Sequence, residues 1–169
     1  MTKITLFLDF RPINQCRKPL RFAFIIMVST APYMMTKGIL CTIDFSEASN
    51  DALKWAIGFS RELDLGITIL YTYRLPVNTQ DDIVAWKRKM EELAQQKFAK
   101  LEKELLLESG VKYEFKIEVG FMVDRVKDHT RKNLIRFLIM SKHMFAKSKD
   151  AFDEVVSHLS VPLVVVPES

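Results

Sequence analysis

Ile39-Leu40-Cys41-Thr42-Ile43-Asp44-Phe45-Ser46 is an apolar run that stops at a carboxylate, with a serine two residues further on. A helical pattern opens at once, in Glu47-Ala48-Ser49-Asn50-Asp51-Ala52-Leu53-Lys54-Trp55-Ala56-Ile57. A buried strand that feeds a helix through so short a turn is a unit of an α/β sheet. In an open sheet of this kind, ligands settle in the crevice beyond the carboxyl ends of the strands. Asp44 stands at that place. Ser46 is a good N-cap, and Glu47 puts a negative charge where the helix dipole favours it.

From Lys37 onward, strand and helix patterns alternate. Gly38 to Ile43 reads as a buried first strand, and Ala52, Leu53, Ala56, Ile57 and Leu63 recur at helical spacing. Asp64-Leu65-Gly66 predicts a helix end at glycine, and the β-branched and aromatic run Ile67 to Tyr73 predicts a second strand. Arg74 to Gln80 is a loop. Asp81 to Ser109 predicts a long amphipathic helix with Ile83, Trp86, Met90, Leu93, Phe98, Leu101 and Leu105 near one face. Gly110 closes it. Lys112 to Val119 alternates polar and apolar residues, which suits a half-exposed edge strand. After Gly120 comes a short helix with Met122, Val126 and His129 on one face, then the fully apolar strand Phe137 to Met140. Ser141 to Lys149 is a polar loop. Asp150 to Leu159 is a helix with Phe152, Val155, Val156 and Leu159 inward, and Val161 to Val166 is the last strand. Such alternation predicts a mostly parallel sheet with right-handed crossovers.

The 169 residues carry a net charge of +4, but all of it lies before Met35, in Lys3, Arg11, Arg17, Lys18 and Arg21 against Asp9. The rest is neutral, so the domain has no bulk attraction for nucleic acid or an anionic membrane. Residues 1–34 also hold half of the six prolines. Three readings of this leader stand: a segment outside the domain, disordered or mis-called, with Met35 or Met34 as the true start; or a weak export signal around Phe22 to Val28. The domain is then 35–169. No run reaches the ~18 apolar residues of a membrane span. The two cysteines, Cys16 and Cys41, make no disulfide framework or metal spacing, and Cys41 reads as a buried inert thiol. Reducing cytoplasm is the expected compartment.

The Asp-Phe-Ser turn of Ile39 to Ala48, the Ala52-Leu53-Lys54-Trp55-Ala56 helix and the ending Val161-Pro162-Leu163-Val164-Val165-Val166-Pro167 resemble the universal stress protein family. The resemblance runs from about Lys37 to Pro167. It implies a doubly wound open parallel five-stranded sheet of order 3-2-1-4-5, of the adenine nucleotide alpha hydrolase-like type. It also implies a homodimer through the last strand. Some family members hold ATP through glycines that follow the fourth strand. Here Ser141 and Met144 stand where the first two glycines would fall, Lys149-Asp150 replaces the final glycine-serine, and no glycine follows Gly120. A side chain at each of these positions blocks close backbone approach to phosphate. Asp150, Asp153 and Glu154 at the start of the last helix repel a triphosphate that would otherwise bind there.

The candidate crevice residues are Asp44 and Thr72 on the nucleoside side, with Ser141 and Lys149 on the phosphate side. Two readings of Asp44 stand side by side: a nucleoside contact, or a turn residue bonding nearby amides. Lys142, Lys147 and Lys149 are either point-charge phosphate binders or a solvated loop. Phe145 either stacks on a base or packs on the neighbouring helix. His143 and Asp44 would form a general base pair only if His143 were more than a surface residue. No His/Cys/Asp spacing makes a metal site. The expectation is a non-catalytic stress-response regulator, not an enzyme, that acts by dimerisation and contacts with an unknown protein partner. No cofactor is expected, ATP is disfavoured, and neither nucleic acid nor membrane is a partner. The alternative is a nucleotide-binding switch that uses Asp44 and the lysine-rich loop.

Overall fold

The computed structural model describes residues 5–6, 24–26, 38–76, 83–132, 134–145 and 149–167. Seven strands and four α-helices are seen there: β1 (Thr5–Leu6), β2 (Phe24–Ile26), β3 (Gly38–Ile43), α1 (Glu47–Leu63), β4 (Gly66–Tyr73), α2 (Ile83–Leu101), β5 (Tyr113–Val119), α3 (Met122–Lys132), β6 (Ile135–Ser141), α4 (Lys149–His158) and β7 (Leu163–Val166). The sheet order is β1-β2-β7-β6-β3-β4-β5. The five strands from Gly38 onward are parallel. Counted from that glycine, their order is 3-2-1-4-5, the doubly wound arrangement that the family resemblance implied.

Burial explains why these strands sit centrally. Ile39, Leu40, Cys41 and Ile43 of β3 are all essentially sealed from solvent. Their alternation splits them between two cores. Ile39, Cys41 and Ile43 pack with Ala52, Leu53, Ala56 and Ile57 of α1 and with Phe98 and Leu101 of α2. Leu40 joins Val123 and Val126 of α3 and Val155 of α4 on the other face. A strand that must be apolar on both sides reads as a continuous run, as this one does. Burial pushes the Cys41 thiol up to about 12, which leaves it protonated and unreactive.

Three details depart from the sequence reading. Helix α1 ends on Asp64 in the left-handed region (φ 51), whose amide bonds the Ser60 carbonyl, while Gly66 already opens β4. Aspartate tolerates this conformation better than most residues. Helix α2 buries only its second half: Ala94, Phe98 and Leu101 are inside, whereas Ile83 is 55% exposed and Val84 74% exposed. A π-helical turn, Glu102–Leu106, follows directly. It widens the spiral, so that Leu106 is fully buried and Leu105 only partly.

The third detail concerns the two edges. The sequence placed a second copy on the outer edge of the last strand. In this structure β2 lies there, antiparallel, with Phe24 opposite Val165, Ile25 opposite Val164 and Ile26 opposite Leu163. Thr5 and Leu6 then pair with β2. The rest of the leader, including Cys16, its prolines and Met35, lies outside the described residues.

Candidate functional site

The crevice opens at the carboxyl ends of β3 and β6, the neighbouring strands from which the chain winds in opposite directions. On the β3 side, Asp44 Oδ1 accepts hydrogen bonds from the Ser46 amide at 3.0 Å and the Ser46 hydroxyl at 2.5 Å. Ser46 in turn caps α1, its hydroxyl oxygen accepting from the Ser49 amide at 3.2 Å. The tight turn forces Phe45 into the left-handed region at φ 64. Such a backbone persists in a bulky residue only where its surroundings hold it. They do: the Phe45 ring lies 4.9 Å from that of Tyr71 and 6.3 Å from that of Phe115.

Burial pushes the Asp44 carboxyl up, but the Ser46 hydroxyl and amide, the nearby Ser49 hydroxyl and the charge of His143 outweigh it, so the net shift is downward. Asp44 is therefore ionised at neutral pH. His143 belongs to the 3₁₀ turn Lys142–Phe145 that follows β6, and is close enough to Asp44 for its charge to be felt.

The β6 side is filled. Ser141 has no exposed surface, and its hydroxyl has no hydrogen-bond partner among the described residues. Met144 reaches across to β3, where the Thr42 hydroxyl donates to its sulfur at 3.2 Å. This thioether bridges the two strands that would flank a nucleotide. Phe145 is buried, with its ring edge-on to Phe152 of α4 at 4.9 Å. The aromatic thus packs on the neighbouring helix, and its ring is not held out toward the crevice.

Of the four residues singled out from the sequence, Asp44 and Ser141 end the two strands that bound the crevice. Thr72 lies on β4, opposite Glu118 of β5. It alternates with Tyr71 and Tyr73, whose rings stack on the other face of the sheet at 6.5 Å. No hydrogen bond joins Thr72 to Asp44 among the described residues. Lys149 opens α4, but its side chain lies outside the described residues, as do Lys147 and the side chains of Asp150 and Glu154. Lys142 and Asp153 are exposed.

Sequence reasoning missed a second polar feature. His129 is buried on α3, its Nε2 lying 2.8 Å from Glu118 Oε1. Around that pair an open groove of about 440 Å³ runs along the outer half of β5, between Lys87 and Glu91 of α2 and Arg125 and Asp128 of α3. The charged alternation of Lys112 to Val119 was the available signal. Among the described residues no cluster of His, Cys, Asp or Glu could hold a metal ion. No described helix is long and apolar enough to cross a membrane.

A sequence profile of the universal stress protein family matches residues 35–167. This chain belongs to the universal stress protein family. Solved structures agree in fold. A family protein from Burkholderia pseudomallei is 15% identical with a TM-score of 0.66, covering 81% of this chain and all of its own. UspA from Lactobacillus plantarum is 14% identical with a TM-score of 0.64 over 81% of this chain and 100% of its own. A universal stress protein from Archaeoglobus fulgidus, solved in complex with dAMP, is 13% identical with a TM-score of 0.54, covering 78% of this chain and 98% of its own. No protein of curated function matches this chain.

Proposed function

We propose that this universal stress protein is a non-catalytic regulator of the stress response that works in the cytoplasm through pairing of copies and contacts with other proteins, with no ATP in its crevice. The observation that carries this reading is the Thr42–Met144 contact at 3.2 Å, which occupies the passage between β3 and β6. A triphosphate needs donors and close backbone approach there. The described residues offer it a thioether, a sealed serine and the ionised Asp44 instead. Removing a bulky side chain from this passage costs packing, so opening it for a ligand is unfavourable as well.

The structural role of Asp44 supports the non-enzymatic part. Asp44 is held ionised by Ser46 as a turn acceptor, and the Ser46 hydroxyl that donates to it also accepts from the Ser49 amide as the cap of α1, so both groups are engaged in holding the turn. The test is chemical. Protein purified from its own cells is denatured, and the released nucleotides are quantified. This reading expects far less than one nucleotide per chain and no phosphate release from ATP above a protein-free control. Stoichiometric ATP in the extract would overturn it.

A second reading keeps a specific observation. The Archaeoglobus protein solved with dAMP shares this fold, and a monophosphate needs less of the missing cradle than ATP does. The β3 side of the crevice, with exposed Asp44 and its Ser46 turn, is intact and can accept a ligand hydroxyl. A nucleotide switch of this kind predicts that Asp44→Ala abolishes binding of AMP. Unchanged affinity in that variant would end it.

A further inference from the structure

The two edges of the sheet differ in what they leave open. β2 takes the outer edge of β7, whereas among the described residues β5 pairs only with β4. The main-chain groups of a strand alternate in direction, so the known bonds fix which ones are free. The Lys112 carbonyl accepts from the Ile67 amide at 2.9 Å, and the Gly120 amide donates to the Tyr73 carbonyl at 2.8 Å. Even-numbered residues of β5 therefore face β4. Tyr113, Phe115, Ile117 and Val119 point their amides and carbonyls outward. Beside Ile117, Glu118 and Val119 this edge lines an open groove, with Lys87 and Glu91 of α2 on one flank and Arg125 and Asp128 of α3 on the other.

The side chains at the even positions alternate in sign: Lys112, Glu114, Lys116, Glu118. Lys112 and Glu114 are exposed, and Lys116 and Glu118 are half-buried. Lys116 now bonds Glu114 of its own strand at 3.1 Å, and Glu118 holds His129. Charges on an edge usually keep other strands away. Here their order does the opposite for one partner. An antiparallel second copy centred on Phe115 sets Lys112 against Glu118 of that copy and Glu114 against its Lys116, which with the two-fold mates gives four opposite-charge pairs. The same register brings Tyr113, Phe115 and Ile117 into narrow hydrogen-bonded pairs with outward groups of the second copy. Charged residues then face one another across the closer non-hydrogen-bonded sites. Centring on Lys116 instead opposes lysine to lysine and Glu114 to Glu118, and centring on Ile117 keeps only the two Lys116–Glu118 pairs.

We propose that the outer edge of β5 is a self-recognition surface, on which a second copy of this chain pairs antiparallel about Phe115 to continue the sheet across a two-fold axis. This rests on the reading that copies pair, and assigns the place. The test is sedimentation of the full chain at tens of micromolar, with three variants. The wild type is expected to be a dimer. Lys116→Glu sets glutamate against glutamate and raises the dissociation constant about tenfold or more. Glu114→Lys combined with Lys116→Glu restores the opposite pairing and brings it back toward wild type, a recovery that a merely folding role would not give. Ile117→Pro removes one outward amide while leaving the bonds to β4, and yields monomer. A dimer indifferent to all three variants overturns the β5 edge and leaves pairing of copies standing. A wild type that stays monomeric overturns both.

Discussion

The two sides of the crevice are built on opposite terms. The β3 side is a set of hydrogen bonds: Asp44 to Ser46, Ser46 to the first turn of α1, and the charge of His143 facing the carboxylate. Its polar groups are satisfied and stay accessible. The β6 side is packing: a sealed Ser141, a thioether on Thr42 and a buried Phe145. One polar atom there is left unsatisfied. A nucleotide site needs both sides polar and open. The contrast teaches that one side of a crevice can be held by the hydrogen bonds that cap a helix while the other side is held by packing.

Substitutions on the two sides should therefore fail differently. The largest effect is expected from Phe145→Ala, which empties a buried site against Phe152 and costs about 3 kcal/mol. Thermal unfolding should fall by roughly 10 °C, since each kcal/mol shifts a domain of this size by about 2–4 °C. A loss under about 1 kcal/mol would mean that the β6 side is not core. Met144→Ala should cost less, about 1–2 kcal/mol, because its side chain is only partly buried. Combined with Ser141→Gly, Met144→Gly reopens the passage, and it is the variant in which ATP binding should first emerge.

On the β3 side the expected losses are smaller and depend on pH. Asp44→Asn weakens charge-assisted bonds at an exposed turn and should cost about 1 kcal/mol at neutral pH. Folding holds the Asp44 carboxyl below its ordinary value, so its contribution is complete above the usual carboxylate range. It is lost as pH falls through the lowered value. Melting temperature followed against pH should thus show a shallower acid limb in Asp44→Asn than in the wild type. Parallel limbs would remove Asp44 from the account. The smallest effect is expected from Ser141→Ala. Removing a buried hydroxyl that has no partner should leave stability within about 1 kcal/mol of wild type, on the stabilising side.

Much of this architecture could be read from the residues because burial and spacing are local. The strand Gly38 to Ile43, the Ser46 cap and the inward residues of the last helix follow from periodicity, and all three appear as read. The π-helical turn at Glu102–Leu106 was not legible, because one extra residue per turn leaves the composition unchanged while rotating the face. Of the stripe read for α2, Ile83 and Leu93 lie on the exposed side. Of the site, the place of Asp44 at the end of the first strand was legible from position, whereas Ser141 and Met144 were singled out only through the family resemblance. That Met144 would touch Thr42 was not legible, since a flexible unbranched side chain can fill many gaps. Nor was the pairing of Phe24–Ile26 with the last strand, since three apolar residues carry no period to read.

The claim that joins these observations is that the passage between β3 and β6 is closed to a triphosphate. Calorimetric titration of the full chain with ATP and magnesium tests it most directly. The account predicts no measurable heat of binding up to millimolar nucleotide, while the Met144→Gly, Ser141→Gly variant begins to bind. Wild-type binding at micromolar concentration would contradict it.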